Sequence, residues 1–161
     1  MAKPLEVLVG EQLAARHLQL ALAESCTGGL ISHLITNVAG SSNYYLGGVT
    51  AYAYEAKVRL LGVSWDTLKQ FGAVSAETAL EMARGVRLAL AADIGVSVTG
   101  IAGPTGGLPG KPVGTVWIGI STHDAEYAKH FLWPGSRLSI KKQSARAALE
   151  LVLEHFQDHG V

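Results

Sequence analysis

The sequence predicts an α/β protein, a three-layer α/β/α sandwich built on a mixed, largely parallel sheet. Three observations predict it. Short apolar runs, at 20–23 and 94–99, stop abruptly at polar or glycine-rich turns, as parallel strands buried on both faces do. Segments with apolar residues at helical spacing lie between them, and strands alternating with helices make a sheet covered on both sides. Ligands of such sheets bind beyond the carboxyl ends of the strands, where two glycine-rich segments fall.

The elements follow in order. Pro4 is placed to be the first residue of a helix over which Leu5, Leu8, Val9, Leu13 and Leu18 partly keep helical spacing. Leu20-Ala21-Leu22-Ala23 is the first buried strand. A second helix carries Leu30, Ile31, Leu34, Ile35 and Val38 on one face and stops at Gly40. Residues 49–54, β-branched and aromatic, read as a strand, and 55–61 as one or two helical turns closed by Gly62. Ser64 caps a short helix ending near Gly72. Ser75 caps a longer one striped by Ala79, Met82, Ala83, Val86 and Leu90. After the 94–99 strand comes a loop with five glycines between Gly100 and Gly110. Residues 113–122 and 126–133 form an antiparallel hairpin around His123-Asp124-Ala125. A last helix from Ser136 or Ser139 to His155 turns Ala145, Leu149, Val152, Leu153 and Phe156 inward.

Composition narrows the function classes. A length of 161 residues with no repeat, low-complexity tract or linker predicts one domain. With 48% apolar and 16% charged residues, intrinsic disorder is excluded. Thirteen Lys plus Arg balance thirteen Asp plus Glu, so no net field favours nucleic acid or an anionic membrane. No stretch approaches the roughly 20 apolar residues of a membrane span. The lone Cys26 excludes an intrachain disulfide, and with no signal-like apolar start this predicts a cytoplasmic protein. High apolar content in so small a chain predicts a buried subunit interface, hence a homo-oligomer.

The chemistry concentrates in Glu24-Ser25-Cys26-Thr27-Gly28-Gly29, a strand-to-helix turn with a hydroxyl beside a helix N-terminus suited to anions. Gly28 and Gly29 admit a ligand close to the main chain. Ser25, Cys26 and Thr27 are all eligible to react, with the thiol ranked behind Ser25 because no histidine stands in a motif with it. A serine needs a base. Tyr52 and Lys57 lie at the end of a predicted strand, and a lysine serves if burial or a neighbouring cation lowers its pKa. The Ser-x-x-Lys spacing is absent, since Gly28 stands three residues after Ser25. The Gly100–Gly107 loop is neither a Walker A motif nor a dinucleotide fingerprint, as Leu108 follows its glycines. Arg137, just ahead of the last helix, is a candidate phosphate partner. His17, His33, His123, His130, His155 and His159 show no metal-ligand spacing, so neither metal nor cofactor is expected.

Six segments occur in matching order: Ala23 to Gly29, Gly40-Ser41-Ser42, Tyr52 with Lys57, Gly72-Ala73-Val74-Ser75, Thr99 to Pro104 and Lys111 to Val116. In these the chain, over roughly residues 5 to 157, resembles the C-terminal domain of the CinA competence/damage-inducible proteins. Stand-alone members of that family are nicotinamide mononucleotide deamidases. The resemblance implies metal-free hydrolysis of the carboxamide of nicotinamide mononucleotide, a small-molecule nucleotide substrate, to nicotinic acid mononucleotide and ammonia. It makes Ser25 the nucleophile, Lys57 its base, and Tyr52 an aid to proton transfer or to positioning Lys57. N–H groups of 27–29 or of 100–103 would form the oxyanion hole. The implied substrate-binding set is Glu24, Thr27, Gly28, Gly29, Thr99, Gly100, Ala102, Gly103 and Arg137, the last reaching the phosphate or carboxamide. Tyr54 departs from the family pattern, standing where many relatives carry Asn. The molybdopterin-binding-like domain that precedes this one in full-length CinA proteins is not expected in this chain.

Overall fold

The computed structural model describes residues 1–160. The chain runs α1 (Leu5–Arg16), β1 (Leu20–Glu24), α2 (Leu30–Thr36), β2 (Tyr45–Thr50), α3 (Tyr54–Leu61), α4 (Trp65–Phe71), α5 (Ala76–Ala89), β3 (Ile94–Gly100), β4 (Thr115–Ser121), β5 (Glu126–Leu132) and α6 (Arg137–Asp158). Pro4 stands one position before α1, with its carbonyl accepting from Val7 and Leu8 at 3.1 Å, so the ring sets the entry to the helix rather than its first turn. Ser64, Ser75 and Ser136 each cap a helix, accepting from the N–H of Asp66, Thr78 and Ser139.

The five strands lie in the order β2-β1-β3-β4-β5. β1 pairs in parallel with both β2 and β3, while β3–β4 and β4–β5 are antiparallel, so the sheet is mixed with its parallel part centred on β1. Helices α1, α2 and α6 cover one face and α3, α4 and α5 the other. Successive residues of β1 serve the two layers in turn. Leu20 and Leu22 join Val9, Leu13, Ile31, Val96, Ile118 and Leu149 on one side. Ala21 and Ala23 join Leu61, Met82 and Val86 on the other. The second layer packs closely because β-strand glycines face α5. A Cβ on Gly95 would stand 2.1 Å from the Ala83 carbonyl oxygen, and one on Gly119 would stand 2.6 Å from that of Ala79.

Two boundaries differ from the sequence expectation. α2 ends at Thr36, short of Gly40, and a 3₁₀ turn over Ser41–Asn43 leads to β2. β2 occupies Tyr45–Thr50 instead of 49–54. Thr50 pairs with Glu24, the last residue of β1, and the Ala51 N–H still donates to the Glu24 carbonyl at 2.9 Å, but past it the neighbouring chain turns away at Ser25, so no ladder partner is left for residues 52–54. Tyr52 therefore sits in a loop. Among the described residues no helix is long and apolar enough to cross a membrane.

Candidate active site

Because β1, β2 and β3 run in parallel, their carboxyl ends share one edge of the sheet. The 25–29 turn, the 51–53 loop and the 101–114 loop all leave from that edge. Ser25 comes first. Its N–H donates to the Val98 carbonyl at 2.9 Å, extending the ladder one residue beyond β1 and fixing where the hydroxyl stands. The chain then reverses, Gly28 N–H donating to the Ser25 carbonyl at 3.1 Å, with Gly28 and Gly29 at φ 62° and 99°. Only glycine adopts two such left-handed conformations in succession without strain.

The base is a buried amine. Lys57, in α3, is 1% exposed, and its Nζ lies 2.9 Å from Ser25 Oγ. The same nitrogen donates to the carbonyls of Ala51 (2.8 Å) and Tyr52 (3.2 Å), which the end of β2 has freed from the sheet. No carboxylate accompanies it among the described residues. Burial lowers the Lys57 pKa to about 8, the nearby Cys26 thiol opposing the shift. A neutral amine has two hydrogens and one lone pair. Carbonyl oxygens only accept, so Ala51 and Tyr52 take the hydrogens and the lone pair is left facing the serine hydroxyl.

Cys26 does not compete. It is 5% exposed, and burial pushes its thiol up to about 12, far from the thiolate that would be needed. Thr27 is also committed, its hydroxyl donating to Glu24 Oε1 at 2.7 Å.

Glu24 has a different role from a substrate contact. Its carboxylate, 1% exposed, also accepts from the N–H groups of Ile31 (2.9 Å) and Ser32 (3.0 Å) and from the Ser32 hydroxyl (2.8 Å). The first turn of α2 thus already holds an anion supplied by the chain. The Ile31 and Ser32 N–H groups are therefore not open to a ligand. The N–H groups of Thr27 and Gly29 keep no backbone acceptor and remain available as donors.

The other expected residues divide. Thr99 is buried and donates to the Ala73 carbonyl at 2.7 Å, tying the 72–75 segment to the end of β3. Gly100 belongs to the ladder opposite Val116, and a Cβ there would meet that side chain at 2.6 Å. Ala102 and Gly103 lead the loop away, their N–H groups without backbone acceptors. Arg137 reaches the rim, where Nη1 donates to the Gly103 carbonyl (2.8 Å) and Nη2 to the Tyr52 hydroxyl (2.9 Å). The Tyr52 side chain is 61% exposed and occupied by Arg137, so Tyr52 reaches Lys57 through its main-chain carbonyl and not its phenol.

Two participants escaped the sequence reading. The Ala51 carbonyl offers no side-chain signal at all. Lys141 stands beside Gly28, its Nζ 3.6 Å from the place a Cβ there would occupy, and the available signal was its position four residues after Arg137 in one helix.

Fold and site together define an α/β/α protein with a hydroxyl and a depressed-pKa lysine paired at the carboxyl edge of its parallel strands. The comparisons place that class in a family. The CinA C-terminal domain profile matches residues 2–156, and the chain belongs to that family. It is 53% identical over 148 residues to a putative competence-damage inducible protein of Moorella thermoacetica, covering 92% of this chain and 36% of the relative. To a CinA-like protein of Salinibacter ruber it is 51% identical over 146 residues, covering 91% of this chain and 35% of the relative. The chain thus spans about a third of the length of these curated relatives. The crystal structure of competence damage-inducible protein A from Klebsiella pneumoniae superposes with a TM-score of 0.91 at 35% identity, covering 93% of both chains.

Proposed function

We propose that the protein is a nicotinamide-nucleotide amidohydrolase that converts nicotinamide mononucleotide and water to nicotinic acid mononucleotide and ammonia. The observation that carries this reading is the 2.9 Å approach of a buried, carbonyl-oriented Lys57 amine to Ser25 Oγ. Neutral Lys57 takes the Ser25 proton as Oγ attacks the carboxamide carbon. Main-chain donors of the 27–29 turn or of Ala102 and Gly103 receive the oxyanion. Lys57 then returns its proton to the departing nitrogen, releasing ammonia and leaving an ester on Ser25. Water, deprotonated by the same amine, cleaves that ester and restores the hydroxyl. Membership of the CinA family and a neutral chain with local cations support a singly phosphorylated substrate.

The deciding experiment is ammonia release from nicotinamide mononucleotide by the intact protein, by Ser25→Ala and by Lys57→Met, with folding checked by circular dichroism. Both variants are expected to lose at least about a thousandfold in kcat. Near-normal turnover in a folded Ser25→Ala or Lys57→Met protein rejects the mechanism.

A homo-oligomer completes the reading. It rests on the apolar content of 48% in a chain of 161 residues, which a buried interface between copies would accommodate. Sedimentation of a purely monomeric species at micromolar concentration rejects it.

A further inference from the structure

Near the 25–29 turn, several groups that ordinarily hold a phosphate already have partners within the chain. The Ile31 and Ser32 N–H groups at the start of α2 serve Glu24, and the Thr27 hydroxyl does too. Arg137 uses one N–H of each terminal nitrogen on Gly103 and Tyr52, which holds its guanidinium at the rim. Lys111, farther along, donates to the Phe71 carbonyl at 2.6 Å.

Lys141 is the exception. It lies on α6 four residues after Arg137, on the same helical face, and is half-buried. Its ammonium stands 3.6 Å from the position of a missing Cβ on Gly28 and, among the described residues, has no hydrogen-bond or ion-pair partner. Its charge is felt at Cys26, where it opposes the effect of burial on the thiol. An ammonium without a partner is free to pair with an anion. Glycine at 28 leaves the space between main chain and ammonium open. An anion held there meets the Nζ beside the turn that carries Ser25.

We propose that Lys141 recognises the phosphate of the mononucleotide and so sets the preference for the phosphorylated substrate over its nucleoside. This rests on the deamidase reading above. Arg137, to which the sequence assigned the phosphate or carboxamide, meanwhile braces the Gly103 loop against Tyr52. Lys141 is a specificity residue and touches no reacting atom.

The test compares nicotinamide mononucleotide with nicotinamide riboside for the intact protein, Lys141→Ala and Lys141→Arg. In Lys141→Ala the preference for the mononucleotide, as a ratio of kcat/KM, is expected to fall about 10- to 100-fold, through KM rather than kcat. Lys141→Arg, which keeps the charge, is expected to restore most of it. An undiminished preference in Lys141→Ala overturns the assignment while leaving the deamidase reading in place. If the intact protein releases ammonia from neither compound, the deamidase reading fails, and calorimetric binding of nicotinic acid mononucleotide decides for Lys141. Binding at least about tenfold weaker in Lys141→Ala then sustains the phosphate contact. Equal binding in the two proteins, or none in either, overturns it.

Discussion

The Tyr52 hydroxyl accepts a 2.9 Å hydrogen bond from Arg137, a residue 85 positions later in the chain. Through the same guanidinium Tyr52 is linked to Gly103, while its carbonyl holds Lys57. One loop residue therefore joins the base to the rim of the site by two separate atoms. Tyr52→Phe removes only the hydroxyl and is expected to cost about 1 kcal/mol of transition-state stabilisation, roughly fivefold in kcat/KM. Arg137→Ala loses both contacts and should cost more. A double-mutant cycle on kcat/KM is expected to show coupling of about 0.5–1.5 kcal/mol between the two, and strict additivity contradicts the link.

The pH dependence follows from the burial of Lys57. An amine with a pKa near 8 is mostly protonated at pH 7, so kcat/KM is expected to rise with pH and level off above an apparent pKa of about 8. Stability moves the same way. The folded-state pKa is below the ordinary value of 10.5, so between about 8 and 10.5 the unfolded chain binds more protons than the native one. Stability contributed by this group is therefore lowest below pH 8 and rises through that window, by on the order of 3 kcal/mol as an upper bound. Denaturant titrations of the intact protein and Lys57→Met at pH 7.5 and 10 check the sign, since the methionine variant lacks the rise.

Glu24 is expected to matter to the fold before it matters to chemistry. Its carboxylate accepts from two main-chain and two side-chain donors at the start of α2. Glu24→Gln replaces one acceptor oxygen by a donor that faces other donors, costing about 3 kcal/mol and lowering Tm by about 10 °C. A calorimetric Tm within two degrees of the parent contradicts this role.

The thiol is expected to be a bystander. Cys26→Ala should keep turnover within about twofold and lose about 1 kcal/mol of stability, the cost of trimming one buried sulfur. In the folded protein iodoacetamide should label Cys26 far more slowly than a free thiol at the same pH, and rapid labelling contradicts the buried, protonated state.

Close packing of α5 on the sheet gives a test independent of the site. Gly95→Ala drives a methyl to 2.1 Å from the Ala83 carbonyl oxygen, where backbone must move. A loss of about 3 kcal/mol or more in urea unfolding is expected, against a tolerated Gly107→Ala in the 101–114 loop, where the backbone is not left-handed and the added atom comes no nearer than 3.4 Å to a neighbour.

What the residues alone determine here is local. Apolar runs at 20–23 and 94–99 are read correctly because a strand buried on both faces has no polar face to confuse it, and Ser64 and Ser75 announce their helices because capping is settled within three residues. Family motifs add Ser25 and Lys57 to that list as residue types in order. Their meeting is a tertiary fact. Thirty-two residues separate the two, and the parallel pairing of β1 with β2 brings them to one edge and ends β2 at Thr50, freeing the carbonyls that aim the amine. Desolvation, which makes Lys57 a base, depends on everything packed around it and is written in no single segment. The turn at 25–29 shows the same division: its glycines and hydroxyls predict an anion site, but only the folded chain reveals that Glu24 already fills the helix start and that Lys141 waits without a partner above Gly28.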